Sequence, residues 1–279
     1  MNFEQILSEL ENQDPEVYNR MDTRRDSMRQ FANIGKKVAL TALPLALGGM
    51  FKRAYGQTPS FSGTVVQVLN FALTLEYLES QFYTMGVNTP NLIPAGNPSA
   101  GFKIIQQHEL EHVIFLQTTI KALGGMPIPS PKFDFTAGGT FATVFSDYAT
   151  FLAVSQTFED TGVRAYKGQA THIQQNDTVL TAALQIHSVE ARHASYVRNL
   201  RSSYYSDESI RPWITGDSTA GIGSSVAANY AGEENTVQLG INIVGIDGFN
   251  ISFDDATECF DEPLTTAQVL ALVAPFIVV

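Results

Sequence analysis

The sequence predicts an all-α protein, a four-helix bundle with a loop-rich C-terminal extension. Three observations carry that prediction. Apolar residues recur in steps of three and four through four long stretches between Phe61 and Ser203. Clusters of Gly, Pro and Asn separate the stretches. Each stretch also carries carboxylates or imidazoles within an otherwise apolar stripe, which suits helices enclosing a polar centre.

The elements follow in order. A first helix starts near Phe61 and runs through Val65, Val68, Leu69, Ala72, Leu75, Leu78 and Phe82, with Gly86, Asn88-Thr89-Pro90 and Asn97-Pro98 as its end signals. A second extends from about Ala100 to Leu123, through Ile104, Ile105, Leu110, Val113, Ile114, Leu116 and Ile120, and closes at Gly124-Gly125. Pro127, Pro129 and Pro131 then mark a loop long enough to cross the end of a bundle. A third helix spans about Phe141 to Thr171, and Asn176-Asp177-Thr178 opens a fourth that reaches Ser203. From residue 204 to 263, glycines punctuate short β-branched stretches and read as extended wrapping. A short last helix begins near Thr265 and breaks at Ala274-Pro275.

Residues 1–56 read as a leader, 57–203 as the bundle and 204–279 as the extension. The apolar run Val38–Phe51 contains Pro44 and is shorter than the about 20 residues a membrane span needs. Its length suits a signal-peptide core, with Ala54-Tyr55-Gly56 as the cleavage site. Upstream, Thr23-Arg24-Arg25-Asp26-Ser27-Met28 resembles a twin-arginine export motif, with Ser27 departing from the pattern. The expectation is an exported, periplasmic protein, otherwise a cytoplasmic one, with no stable membrane span in the mature chain. The alternatives for this segment are a helix packed on the domain and an uncleaved amphipathic anchor.

The chain carries 17 basic and 28 acidic side chains, a net charge of −11. That balance argues against nucleic acid as a partner, because phosphates call for a basic patch. The single cysteine, Cys259, excludes an intramolecular disulfide and multi-cysteine zinc or iron–sulfur sites. It is expected to be packed and unreactive.

Chemistry therefore rests on carboxylates and imidazoles. The second helix contains Glu109 and His112, and the fourth Glu190 and His193, each pair as Glu-x-x-His. At that spacing both side chains share one helix face. The first and third helices each offer a glutamate, Glu76 and Glu159, followed seven residues later by Tyr83 and Tyr166. Glu76 to Glu109 is 33 residues and Glu159 to Glu190 is 31, so the halves read as copies of one helix hairpin. Four carboxylates and two imidazoles suit two iron or two manganese ions. Without cations, four buried glutamates would cost several kcal/mol apiece. Glu79 shares the Glu76 face approximately, but Glu76 matches the spacing to a tyrosine. Tyr83 and Tyr166 are core tyrosines positioned to hydrogen-bond a ligand carboxylate. His108 and His187 lie one turn from the two motifs; each either touches a ligand or sits at the edge of the core.

These residues resemble the ferritin-like superfamily over about residues 60–203. Leu69–Tyr83, Arg211-Pro212-Trp213 and Phe260–Leu264 are more narrowly similar to a ferritin-like domain family that includes plant desiccation-related proteins. A distant resemblance to manganese catalases accompanies it. The resemblance implies the bundle fold and the metal ligands rather than one reaction. Its leading implication is an oxidoreductase-type centre reacting with dioxygen or hydrogen peroxide in oxidative-stress defence. The alternative is a non-enzymatic stress or desiccation protein with a structural or vestigial metal site. A homo-oligomer is compatible with either.

Overall fold

The computed structural model describes residues 65–278. The leader, its export motif and its cleavage site lie outside the described residues. Four long helices dominate: α1 (Val65–Asn88), α2 (Asn97–Ala122), α3 (Tyr148–Ala170) and α4 (Asp177–Tyr205). They pack in pairs, α1 with α2 and α3 with α4. Short connections close each pair into a hairpin, and residues 123–147 link the hairpins.

Three boundaries differ from the sequence expectation, each for a physical reason. Gly86 does not end α1. It lies inside the helix, where an added Cβ would come within 2.3 Å of the Phe151 ring, so it admits an aromatic rather than a turn. Pro98 opens α2 instead of closing α1, because a proline's fixed φ and missing N–H suit a first helical turn. The third helix starts at Tyr148, not Phe141, with the Asp147 carboxylate accepting from the Thr150 amide at 2.8 Å. The apolar spacing of residues 141–145 comes from turns that bury Val144, not from a helix. The fourth helix begins after Asn176, whose side chain caps the Val179 amide at 3.1 Å. In α2 the apolar pattern is wider than the buried face, since Ile104, Leu110 and Ile114 are exposed.

The extension is more ordered than wrapping. It contains α5 (Ala227–Tyr230), α6 (Phe253–Glu258) and α7 (Thr266–Val273). Thr265 and Gln268 form a reciprocal cap at the start of α7. Residues 237–242 form a hairpin, β1 (Val237–Gln238) against β2 (Ile241–Asn242), with Val237 opposite Asn242. Leu239 and Gly240 both take positive φ, as a tight primed turn requires.

A row of buried polar side chains on α3 holds the extension down. Gln156, Asp160 and Arg164 recur every four residues and so share one face. Arg164 donates to the carbonyls of Asn229, Ala231 and Glu262 and pairs with Glu233 at 2.6 Å. Asp160 takes a two-pronged contact from Arg198 at 2.9 and 2.6 Å, and a hydrogen bond from the Tyr230 hydroxyl at 2.8 Å. Arg198 also donates to the Trp213 carbonyl at 2.9 Å. At Gly168 an added Cβ would meet the Leu264 carbonyl oxygen at 1.9 Å, so the segment lies directly on the helix backbone.

Among the described residues the apolar interior forms two large clusters that meet along α1 and a small one around Tyr230. Leu69 and Leu73 belong to one of the large clusters, Leu78 and Phe82 to the other, and Glu76 falls between them along α1. Among the described residues, no helix is long and apolar enough to cross a membrane. Cys259 is exposed, not packed, because it terminates α6 on the outer surface.

Candidate metal centre

Between the two large apolar clusters, all four long helices turn carboxylates or imidazoles toward one point. The i, i+3 spacing on α2 aims Glu109 and His112 inward together, and Glu190 and His193 do the same from α4. From α1 and α3 come Glu76 and Glu159. All six are buried, with Glu76, Glu109, Glu159 and Glu190 wholly so.

The donor atoms fall into two overlapping sets. Glu76, Glu109, His112 and Glu190 present atoms within 4.8 Å of one another, and so do Glu109, Glu159, Glu190 and His193. Glu109 and Glu190 belong to both sets. His112 Nδ1 lies 3.2 Å from Glu76, 3.1 Å from Glu109 and 3.3 Å from Glu190. His193 Nδ1 lies 2.8 Å from Glu109 and 3.5 Å from Glu159.

The two tyrosines cross between the hairpins. Tyr83 of α1 donates its hydroxyl proton to Glu159 Oε1 of α3, and Tyr166 of α3 donates to Glu76 Oε1 of α1. His108 belongs to this arrangement, with its Nδ1 2.9 Å from Nε2 of His193 and the rings stacked. That contact leaves His193 Nδ1 facing the carboxylates. His187 is not brought to the cluster; the charged groups acting on it are Asp261 and Lys167. Glu111 is exposed and accepts from Gln107 at 2.8 Å.

Glu79 is the residue whose place spacing alone left open. It is buried one turn beyond Glu76 and belongs to neither four-residue set. Its carboxylate lies against Gly162, where an added Cβ would be 3.2 Å from Glu79 Oε1 and 3.3 Å from Glu190 Oε2. Gly162 follows Glu159 by three residues, as Glu79 follows Glu76. The hairpin copies differ at this position, and the missing side chain on α3 makes room for the fifth carboxylate. The Glu159-x-x-Gly162 spacing was the available sequence signal.

Electrostatics shows what the cluster lacks. Burial pushes Glu76 up to about 7, against the pull of His112. Burial and neighbouring carboxylates hold Glu79 and Glu190 well above the ordinary carboxylate range. Glu109 is also buried, but the two imidazoles beside it outweigh that and draw it down to about 2. Burial works against the charged form of His193, yet Glu159 and Glu109 raise it to about 11. His112 is raised likewise. Five carboxylates thus share two imidazoles, which leaves negative charge uncompensated in a low-dielectric interior.

The donor set fits divalent cations on a second ground. Both oxygens of Glu190, Glu109 Oε1, Glu159 Oε2 and His193 Nδ1 are buried and make no hydrogen bond. His193 Nδ1 and Glu109 Oε1 are 2.8 Å apart but not aligned to bond each other. Lone pairs that converge without pairing are what a metal ion satisfies. A Glu/His donor set without thiolate suits hard or borderline divalent cations.

Residues 64–203, about half of the chain, match the family model for the ferritin-like domain. No curated protein matches the chain.

Proposed function

Because the chain belongs to the ferritin-like domain family, we propose that its buried Glu/His cluster holds two iron or two manganese ions and reacts with dioxygen or hydrogen peroxide. The observation that carries this reading is the pair of four-residue donor sets sharing Glu109 and Glu190. Glu109 and Glu190 would serve both ions, Glu76 with His112 one of them, and Glu159 with His193 the other. When bound, such ions would supply the electrons and the Lewis acidity that small oxidants require.

The protein's own groups do the rest. Tyr83 and Tyr166 each hold a proton on a hydroxyl directed at Glu159 or Glu76, which fixes those carboxylates in orientation. His108 orients His193 through its ring nitrogen. Burial of all four glutamates excludes bulk water and strengthens every charge interaction in the centre. We also read residues 1–56 as an export leader, which N-terminal sequencing of protein from its native host would test.

The experiment is elemental analysis of protein from its native host, beside Glu109→Ala and His193→Ala variants, followed by a peroxide-consumption assay. About two iron or manganese ions per chain, reduced in both variants, together with peroxide or dioxygen turnover, is the expected result. Metal retained without turnover would favour the non-enzymatic reading. Metal content near zero, with no thermal stabilisation by either ion, would sink the metal reading itself.

A further inference from the structure

A cavity of about 540 Å³ lies beside the metal centre and is not used by it. Val68 and Leu69 of α1, Phe115 and Leu116 of α2, and Val179 and Ile186 of α4 contribute to its wall. Most of these side chains are buried and Phe115 is exposed, so the cavity opens at the surface and reaches core depth. Its volume falls within the range of sites that enclose a small organic ligand.

Two features of the wall point to an occupant. Tyr166 lines the cavity while its hydroxyl bonds Glu76, so a molecule in the cavity would touch the residue that orients a candidate ligand. Around the cavity, Asp177, Thr178, Thr181 and Gln185 are exposed and mark its outer side on α4. Among the described residues no basic side chain lines it, and the chain is strongly acidic. An anionic headgroup would find no partner there and would face Asp177.

We propose that this cavity binds a neutral, mostly apolar organic molecule, held between α1, α2 and α4 against Tyr166. The binding stands on the cavity alone; its bearing on oxidant chemistry rests on the metal reading above.

The test is a fluorescence titration of the full chain with 1-aminoanthracene, followed by displacement with 1-dodecanol and with dodecanoate. Metal content is measured on the same samples. Saturable binding is expected, with the alcohol displacing the probe at least tenfold more effectively than the carboxylate. Ala183→Phe places a ring in the cavity wall and should abolish binding while circular dichroism and metal content are unchanged. Thr119→Phe fills the cavity from α2 and serves if the first variant fails to fold. No saturable binding, binding indifferent to both substitutions, or equal preference for dodecanoate would each overturn the proposal. Binding that appears only when residues 1–56 are removed would assign the cavity to the chain's own apolar run, and would overturn it too. A sample that binds the probe but no metal refutes the metal reading alone. A sample with two ions and no probe binding refutes this one alone.

Discussion

Tyr83 and Tyr166 show how much one hydroxyl can control. Each reaches from its own hairpin to a glutamate of the other, and each glutamate is a member of one donor set. Tyr166→Phe keeps the ring and removes only the donor to Glu76. It should weaken metal binding about 10–100-fold, the usual loss when a hydrogen bond to a ligand is removed. Competition with a calibrated chelator reads the change, while unchanged far-UV circular dichroism shows that the bundle persists. The spacing Glu-x6-Tyr drew attention to both tyrosines, but their crossing was not legible, because sequence order does not reveal which hairpin a side chain faces. The ambiguity at Glu79 has a similar origin. Its neighbour in space is Gly162, and a residue defined by an absent side chain leaves little trace in a pattern of apolar spacing.

At the scale of elements, periodicity located the four helices and missed what fastens the tail to them. Periodicity reports which face is apolar, whereas Gln156, Asp160 and Arg164 form a buried face that is polar. Arg164 is central to the attachment, since its guanidinium serves three carbonyls and Glu233. Arg164→Ala would leave Glu233 buried without its cation, at a cost of about 3–5 kcal/mol. Urea denaturation should show that loss. Arg164→Lys should not restore it, because an ammonium cannot reproduce the planar fork. The start of the third helix was misplaced for a related reason. Phe141, Val144 and Phe145 have helical spacing, but the strongest start signal, Asp147 three residues before Thr150, lies after them.

For the whole molecule, charge in the core sets the response to pH. Glu76 is raised from 4.5 to about 7, so its contribution to stability is present below pH 4.5 and lost as pH rises through 7. His193 is raised from 6.5 to about 11, and its contribution likewise declines as pH rises through that range. Glu109 is lowered from 4.5 to about 2 and opposes them only in stronger acid. Without metal, the protein should therefore melt at a lower temperature at pH 8 than at pH 5. With ions bound the order should reverse, because protons compete with metal for the same carboxylates and imidazoles. Thermal scans with chelator, and with added manganese or iron, compare the two cases directly.

The sharing of Glu109 and Glu190 between donor sets also dictates a sequence of events. Neither hairpin owns a complete set: one lacks Glu190 and the other lacks Glu109. A cation held by one hairpin alone would therefore lack one donor of its set. Its full grip would arrive only when the hairpins dock, so a bound metal would latch the final step of assembly rather than seed the first.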